Sequence, residues 1–144
     1  MPDNTVRHHY PMTPASVGRA RHDCERTLEA WGLSAADPSA SDVVLMVSEL
    51  VTNAITHGRV PHSIGRPVGL VMERDNDTVR VEVTDMQSDK VPELHSAGLS
   101  DTGGRGLWMV AELADQWGWR RNFLGKAVRV EKKMNGGEES CPSL

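Results

Sequence analysis

The sequence of 144 residues has two cysteines, one phenylalanine and one tyrosine. Cys24 falls in a helical pattern and Cys141 close to the C-terminus. That excludes a disulfide framework and favours a reducing compartment. No apolar run approaches the ~20 residues that span a bilayer, and "MPDNTVRHHYPMTP" contains no apolar signal core. The expectation is a cytoplasmic protein with no membrane partner. An excess of basic charge is missing too: the net charge is −4, so no global field attracts nucleic acid. Trp31, Trp108, Trp117 and Trp119 therefore read as core or interface packing rather than a base-stacking platform. There is no His-Glu-x-x-His, no zinc spacing and no Gly-x-Ser-x-Gly elbow. His8, His9, His22, His62 and His95 read as surface or loop residues.

What is present is one domain's worth of periodic pattern. Residues 1–13 look like a loose, flexible arm or an edge extension. From Pro14, the series Val17, Ala20, Cys24, Leu28 and Trp31 predicts an amphipathic helix ending at Gly32. A second helix is predicted from Pro38 or Ser39 to about Thr56, apolar on more than one face and so largely buried. Val68, Leu70 and Met72, then Val79, Val81 and Val83, alternate on either side of "RDNDT", which predicts a β-hairpin. Residues 86–103 have no periodicity, and so long an irregular segment inside a small domain is read as functional or mobile. A third helix is expected from about Gly106 to Ala114, then two strands joined at "NFLGK". Residues 135–144 have no core-forming pattern and are expected to be disordered. This order predicts an α+β fold over residues 14–134, a two-layer sandwich whose mixed, mainly antiparallel sheet carries helices on one face.

Three features carry possible chemistry. In "SELVTNAITHG", Glu49, Asn53 and His57 recur every four residues and span a stripe of about 80° on the second helix. A solvated face is the plain reading of such a stripe. Asn and Thr are mediocre helix formers, however, and water is served as well by Lys, Glu or Arg. In "DTGGRGLWMV", Gly103, Gly104 and Gly106 precede an apolar helix, where close backbone approach and unpaired N–H groups suit phosphate. No apolar strand precedes them and no Gly-Lys-Ser/Thr follows, which excludes the Rossmann and P-loop fingerprints. Asp85, in "VEVTDMQ", ends the second hairpin strand. It is either a turn former or an acceptor for an exocyclic amine.

Taken in order, Glu49-x-x-x-Asn53-Ala54-x-x-His57-Gly58, then Asp85, then Gly104-x-Gly106 resemble the GHKL ATPase and kinase superfamily with its Bergerat fold. Within it the chain looks most like bacterial anti-sigma-factor serine/threonine kinases. The resemblance covers roughly residues 14–133. It implies that Asn53 coordinates Mg²⁺ bridging ATP phosphates and that Glu49 takes the proton of an attacking hydroxyl. It implies that Asp85 binds the adenine amine, that Gly104 and Gly106, with the amides of Arg105 and Leu107, cradle phosphates, and that residues of about 86–103 form the lid. Arg105 adds charge there by its position, and His57 either belongs to the site or only ends its helix before Gly58. The implied partners are a sigma factor and an anti-sigma antagonist protein. A homodimer is implied for sigma-binding members, through the first helix with Trp31 or through the N-terminal arm. The family's second box commonly reads Asp-x-Gly, whereas Met86, Gln87 and Ser88 follow Asp85 here. A catalytically silent binding module is the alternative. A detached sensor-kinase domain ranks lower, because too few residues precede the second helix for a phosphoacceptor hairpin.

Overall fold

A computed structural model describes residues 4–34, 36–58, 67–85, 102–121 and 125–134. The elements run β1 (Thr5–Tyr10), α1 (Ala15–Ala30), α2 (Pro38–Gly58), β2 (Val68–Asp75), β3 (Thr78–Asp85), α3 (Thr102–Leu113), β4 (Gln116–Arg121) and β5 (Lys126–Lys133). The strands form one sheet in the order β1-β2-β3-β5-β4. All its pairings among the described residues are antiparallel. The predicted two-layer α+β architecture is the observed one, with an antiparallel rather than a mixed sheet. Thr5–Tyr10 of the expected arm form the edge strand β1. Of the two readings of that segment, the edge extension describes it.

The sheet is two-faced because its strands alternate. Leu70 lies opposite Val83 and Met72 opposite Val81, while Val83 lies opposite Val128 and Val81 opposite Val130. All of these are buried with the helices in one core. The other face is laced by charge. Arg80 donates from Nε to Glu131 at 3.0 Å and from Nη1 to Glu73 at 2.9 Å, and Arg120 donates to Glu82 at 2.8 Å. Exposed pairs of this kind contribute little each, yet together they define the wet face.

Local chemistry sets the helix ends. At the end of α1, Gly32 takes φ +82°, Gly32 N–H donates to Glu29 O at 2.9 Å and Leu33 N–H to Leu28 O at 2.8 Å, a Schellman motif that only glycine adopts cheaply. Trp31 is 7% exposed and packs into the core, the first of the two readings, core or interface, that the sequence gives it. At the start of α2, Asp37 caps the helix: its carboxylate accepts from Ser39 N–H at 3.0 Å and from the Ser39 hydroxyl at 2.8 Å. Pro38 occupies the first helical position, where its missing N–H costs nothing. Asn76 turns the β2–β3 hairpin with φ 58°, a conformation Asn tolerates.

Candidate nucleotide site

Lys132 fixes how the helices lie on the sheet. Its Nζ donates to the Leu113 carbonyl at the end of α3 at 2.7 Å and lies 3.4 Å from Asp42 near the start of α2. The main chain repeats the anchor, with Asp115 N–H donating to Glu131 O at 2.9 Å. The beginning of α2 and the end of α3 therefore meet over the last residues of β5. Since α2 and α3 pack against each other, they run in opposite directions, and the later turns of α2 lie beside the first turn of α3.

Asp42 also settles which way the polar stripe faces. Glu49 and Asn53 stand seven and eleven positions after it, within about 20° of its azimuth at 100° per residue. Because Asp42 reaches Lys132 on β5, this azimuth points towards α3 and the sheet. Ser41, Leu45, Thr52 and Thr56 take the exposed azimuths instead. Glu49 and Asn53 are half-buried, and neither has a hydrogen-bond or ion-pair partner among the described residues. The stripe is thus not the wet side of an amphipathic helix. The last turn of α2 contains His57, whose side chain lies outside the described residues.

Asp85 lies at the same end. Val79 is paired with Lys132 and Asp85 with Lys126; six residues of strand put Asp85 about 20 Å from the Lys132 anchor. Its position continues the inward series Val79, Val81, Val83, and its side chain is only 5% exposed. It faces a residue the sequence patterns did not single out: Lys126, 9% exposed, with Nζ 3.6 Å from Asp85 Oδ2.

The glycine box differs from expectation. The helix begins at Thr102 rather than near Gly106, so Gly103, Gly104 and Gly106 belong to its first turns instead of a preceding loop. Under the i to i−4 pattern, the unpaired N–H groups among the described residues of this turn are then those of Thr102, Gly103 and Gly104. The amides of Arg105, Gly106 and Leu107 bond within the helix, and the Leu107 side chain is buried in the core. A phosphate cradle at this turn uses the Gly103 and Gly104 amides. The Arg105 side chain and residues 86–101, most of the expected lid, lie outside the described residues, as does the tail 135–144.

Other groups are structural. Cys24 is fully buried and burial pushes its thiol up to about 12, which leaves it inert. His8, expected at the surface, stacks on Tyr10 with ring centroids 5.9 Å apart, and its Nδ1 lies 3.6 Å from Asp23. Tyr10 donates to that same carboxylate at 2.7 Å; burial and this bond push its hydroxyl well above the ordinary tyrosine range.

The donor set fits a nucleotide with Mg²⁺. No group of three or more His, Cys, Asp or Glu among the described residues holds a metal by itself. The Asn53 carboxamide oxygen, without a partner among the described residues, suits an ion that keeps its waters and shares phosphate oxygens.

Comparison with known proteins agrees with this geometry. The RsbU and RsbW domains of Rv1364c from Mycobacterium tuberculosis superpose with a TM-score of 0.70 at 17% identity, covering 92% of this chain and 32% of that one. This chain thus spans about a third of that protein. The SiaB–SiaC complex from Pseudomonas aeruginosa gives a TM-score of 0.63 at 15% identity over 88% of each chain. At these identities the likeness is one of fold. No functionally curated protein matches. The model of the histidine kinase-like ATPase domain matches residues 10–132, and with most of its length matched the chain belongs to that family of ATP-binding domains.

Proposed function

We propose that this protein binds Mg-ATP at the end of the fold marked by Asn53, Asp85 and the first turn of α3, transfers phosphate to Ser or Thr of an anti-sigma antagonist protein, and sequesters a sigma factor. The observation that carries the nucleotide reading is the inward azimuth of Glu49 and Asn53, which share a line with the sheet-facing Asp42. The partner classes rest on the resemblance of "SELVTNAITHG" to anti-sigma-factor kinases and on a fold neighbour containing an RsbW domain.

Each residue has a distinct task. Mg-ATP, when bound, supplies the phosphoryl group and a cation that offsets its charge. The Asn53 carboxamide oxygen holds that cation, and the Asp85 carboxylate accepts from the exocyclic amine of the base. The N–H groups of Gly103 and Gly104 donate to phosphate oxygens at the positive end of α3, and the Arg105 side chain adds charge there. Glu49, one turn before Asn53, accepts the proton of the attacking hydroxyl.

Calorimetry separates these tasks. Asn53→Ala is expected to abolish Mg-ATP binding, while Glu49→Ala binds normally but no longer transfers phosphate from radiolabelled ATP to an antagonist protein. A wild type that does not bind Mg-ATP would end the nucleotide reading. The second reading, a silent binding module, draws on the missing glycine after Asp85. ATP binding without transfer to any antagonist would favour it.

A further inference from the structure

Lys126 is the first residue of β5, and in the antiparallel register it stands directly opposite Asp85, the last residue of β3. Both side chains lie on the inward face, since the register continues from them to Val83 opposite Val128 and Val81 opposite Val130. The Lys126 side chain is 9% exposed and that of Asp85 5%, with 3.6 Å between Nζ and Oδ2. That separation is longer than a hydrogen bond, so the ammonium acts on the carboxylate chiefly through its field. Burial alone disfavours a charged carboxylate, and an opposite charge at this distance favours it.

The chemistry of base recognition makes that charge consequential. An ionised carboxylate only accepts hydrogen bonds, whereas a protonated one also donates. A 6-amino purine offers an N–H donor at the position where a 6-oxo purine offers an acceptor. A carboxylate held ionised therefore takes the amine and repels the carbonyl. Resting on the reading of Asp85 as the residue that meets the base, we infer that Lys126 is a positioning residue for base selection: it keeps Asp85 an acceptor only, and so makes the site choose 6-amino over 6-oxo purine nucleotides.

A purely structural lysine would also be buried and paired, so the test must read selectivity as well as stability. Calorimetry compares Mg-ATP with Mg-GTP and Mg-ITP on the wild type and on Lys126→Met, Lys126→Arg, Asp85→Asn and Asp85→Asn/Lys126→Met. Urea unfolding of each protein without nucleotide runs alongside. In Lys126→Met, ATP affinity is expected to fall at least tenfold and the preference for ATP over ITP to shrink by a similar factor. Lys126→Arg keeps the charge and should stay within about threefold of wild type on both measures. With Asp85→Asn present, adding Lys126→Met should change ATP affinity little, because the carboxylate on which Lys126 acts is gone.

Lys126→Met leaves a buried carboxylate without its cation and risks unfolding. Lys126→Arg and the neutral double variant then decide between the two roles. Full ATP affinity and undiminished preference in folded Lys126→Met overturn the inference and leave the nucleotide site standing. So does a double variant that loses as much again as the two single changes together. Failure of the wild type to bind any of the three nucleotides overturns both.

Discussion

The inward stripe of β5 carries a lysine at each end, Lys126 and Lys132, with Val128 and Val130 between them. The two are chemically identical, half a dozen residues apart and both paired with an aspartate. What separates them is the partner. Lys132 donates to the Leu113 carbonyl at the end of α3 and lies beside Asp42, so its donors go to groups the fold itself must satisfy. Lys126 faces a carboxylate at a strand end beside the proposed ligand. The difference teaches that burial and pairing do not by themselves mark a functional charge. The reading comes from where the partner stands in the fold.

The largest effect expected at the Lys132 end is from Lys132→Met. It removes a charge-assisted bond to a helix carbonyl, of the class that contributes about 1.5–3 kcal/mol, and a partly exposed ion pair that adds little. Urea unfolding should show a loss of about 2 kcal/mol, with Mg-ATP affinity of the folded protein unchanged. A change of more than threefold in that affinity would break the division between the two ends. Asp37→Ala comes next. It removes the cap that accepts from Ser39 and should cost about 1 kcal/mol, again without altering nucleotide affinity.

The division between the ends explains what was legible in the sequence. Val68 to Met72 and Val79 to Val83 announce their strands because alternation is local. Glu49, Asn53 and Asp85 announce the candidate site because each lies in a recognisable pattern. The start of α3 was hidden, since three glycines near its beginning argue against helix and only packing against α2 overrides them. Lys126 was hidden for a different reason. It follows Gly125 and reads as a turn residue, and its partnership with Asp85 depends on β3 pairing with β5 across an intervening helix and strand. Azimuth was hidden as well: the spacing of the α2 stripe is visible in the sequence, but its direction requires Asp42 to be seen against Lys132.

Asp42→Asn is the smallest change and the sharpest one. Asp42, Glu49 and Asn53 share one line on α2, so a purely pattern-based account treats Asp42 and Glu49 as equivalent acids. The structure places them about 10 Å apart along the helix axis, with Asp42 at the anchored end and 3.4 Å from Lys132. The Asp42 side chain is 32% exposed and that of Lys132 is 18% exposed, and pairs open to solvent contribute about 0.2–1 kcal/mol. Asp42→Asn should therefore lower stability by about 0.5 kcal/mol in urea unfolding while Mg-ATP binding and phosphate transfer stay at the wild-type level. Loss of transfer in Asp42→Asn as complete as in Glu49→Ala would mean that the whole stripe, and not its far end, serves the ligand.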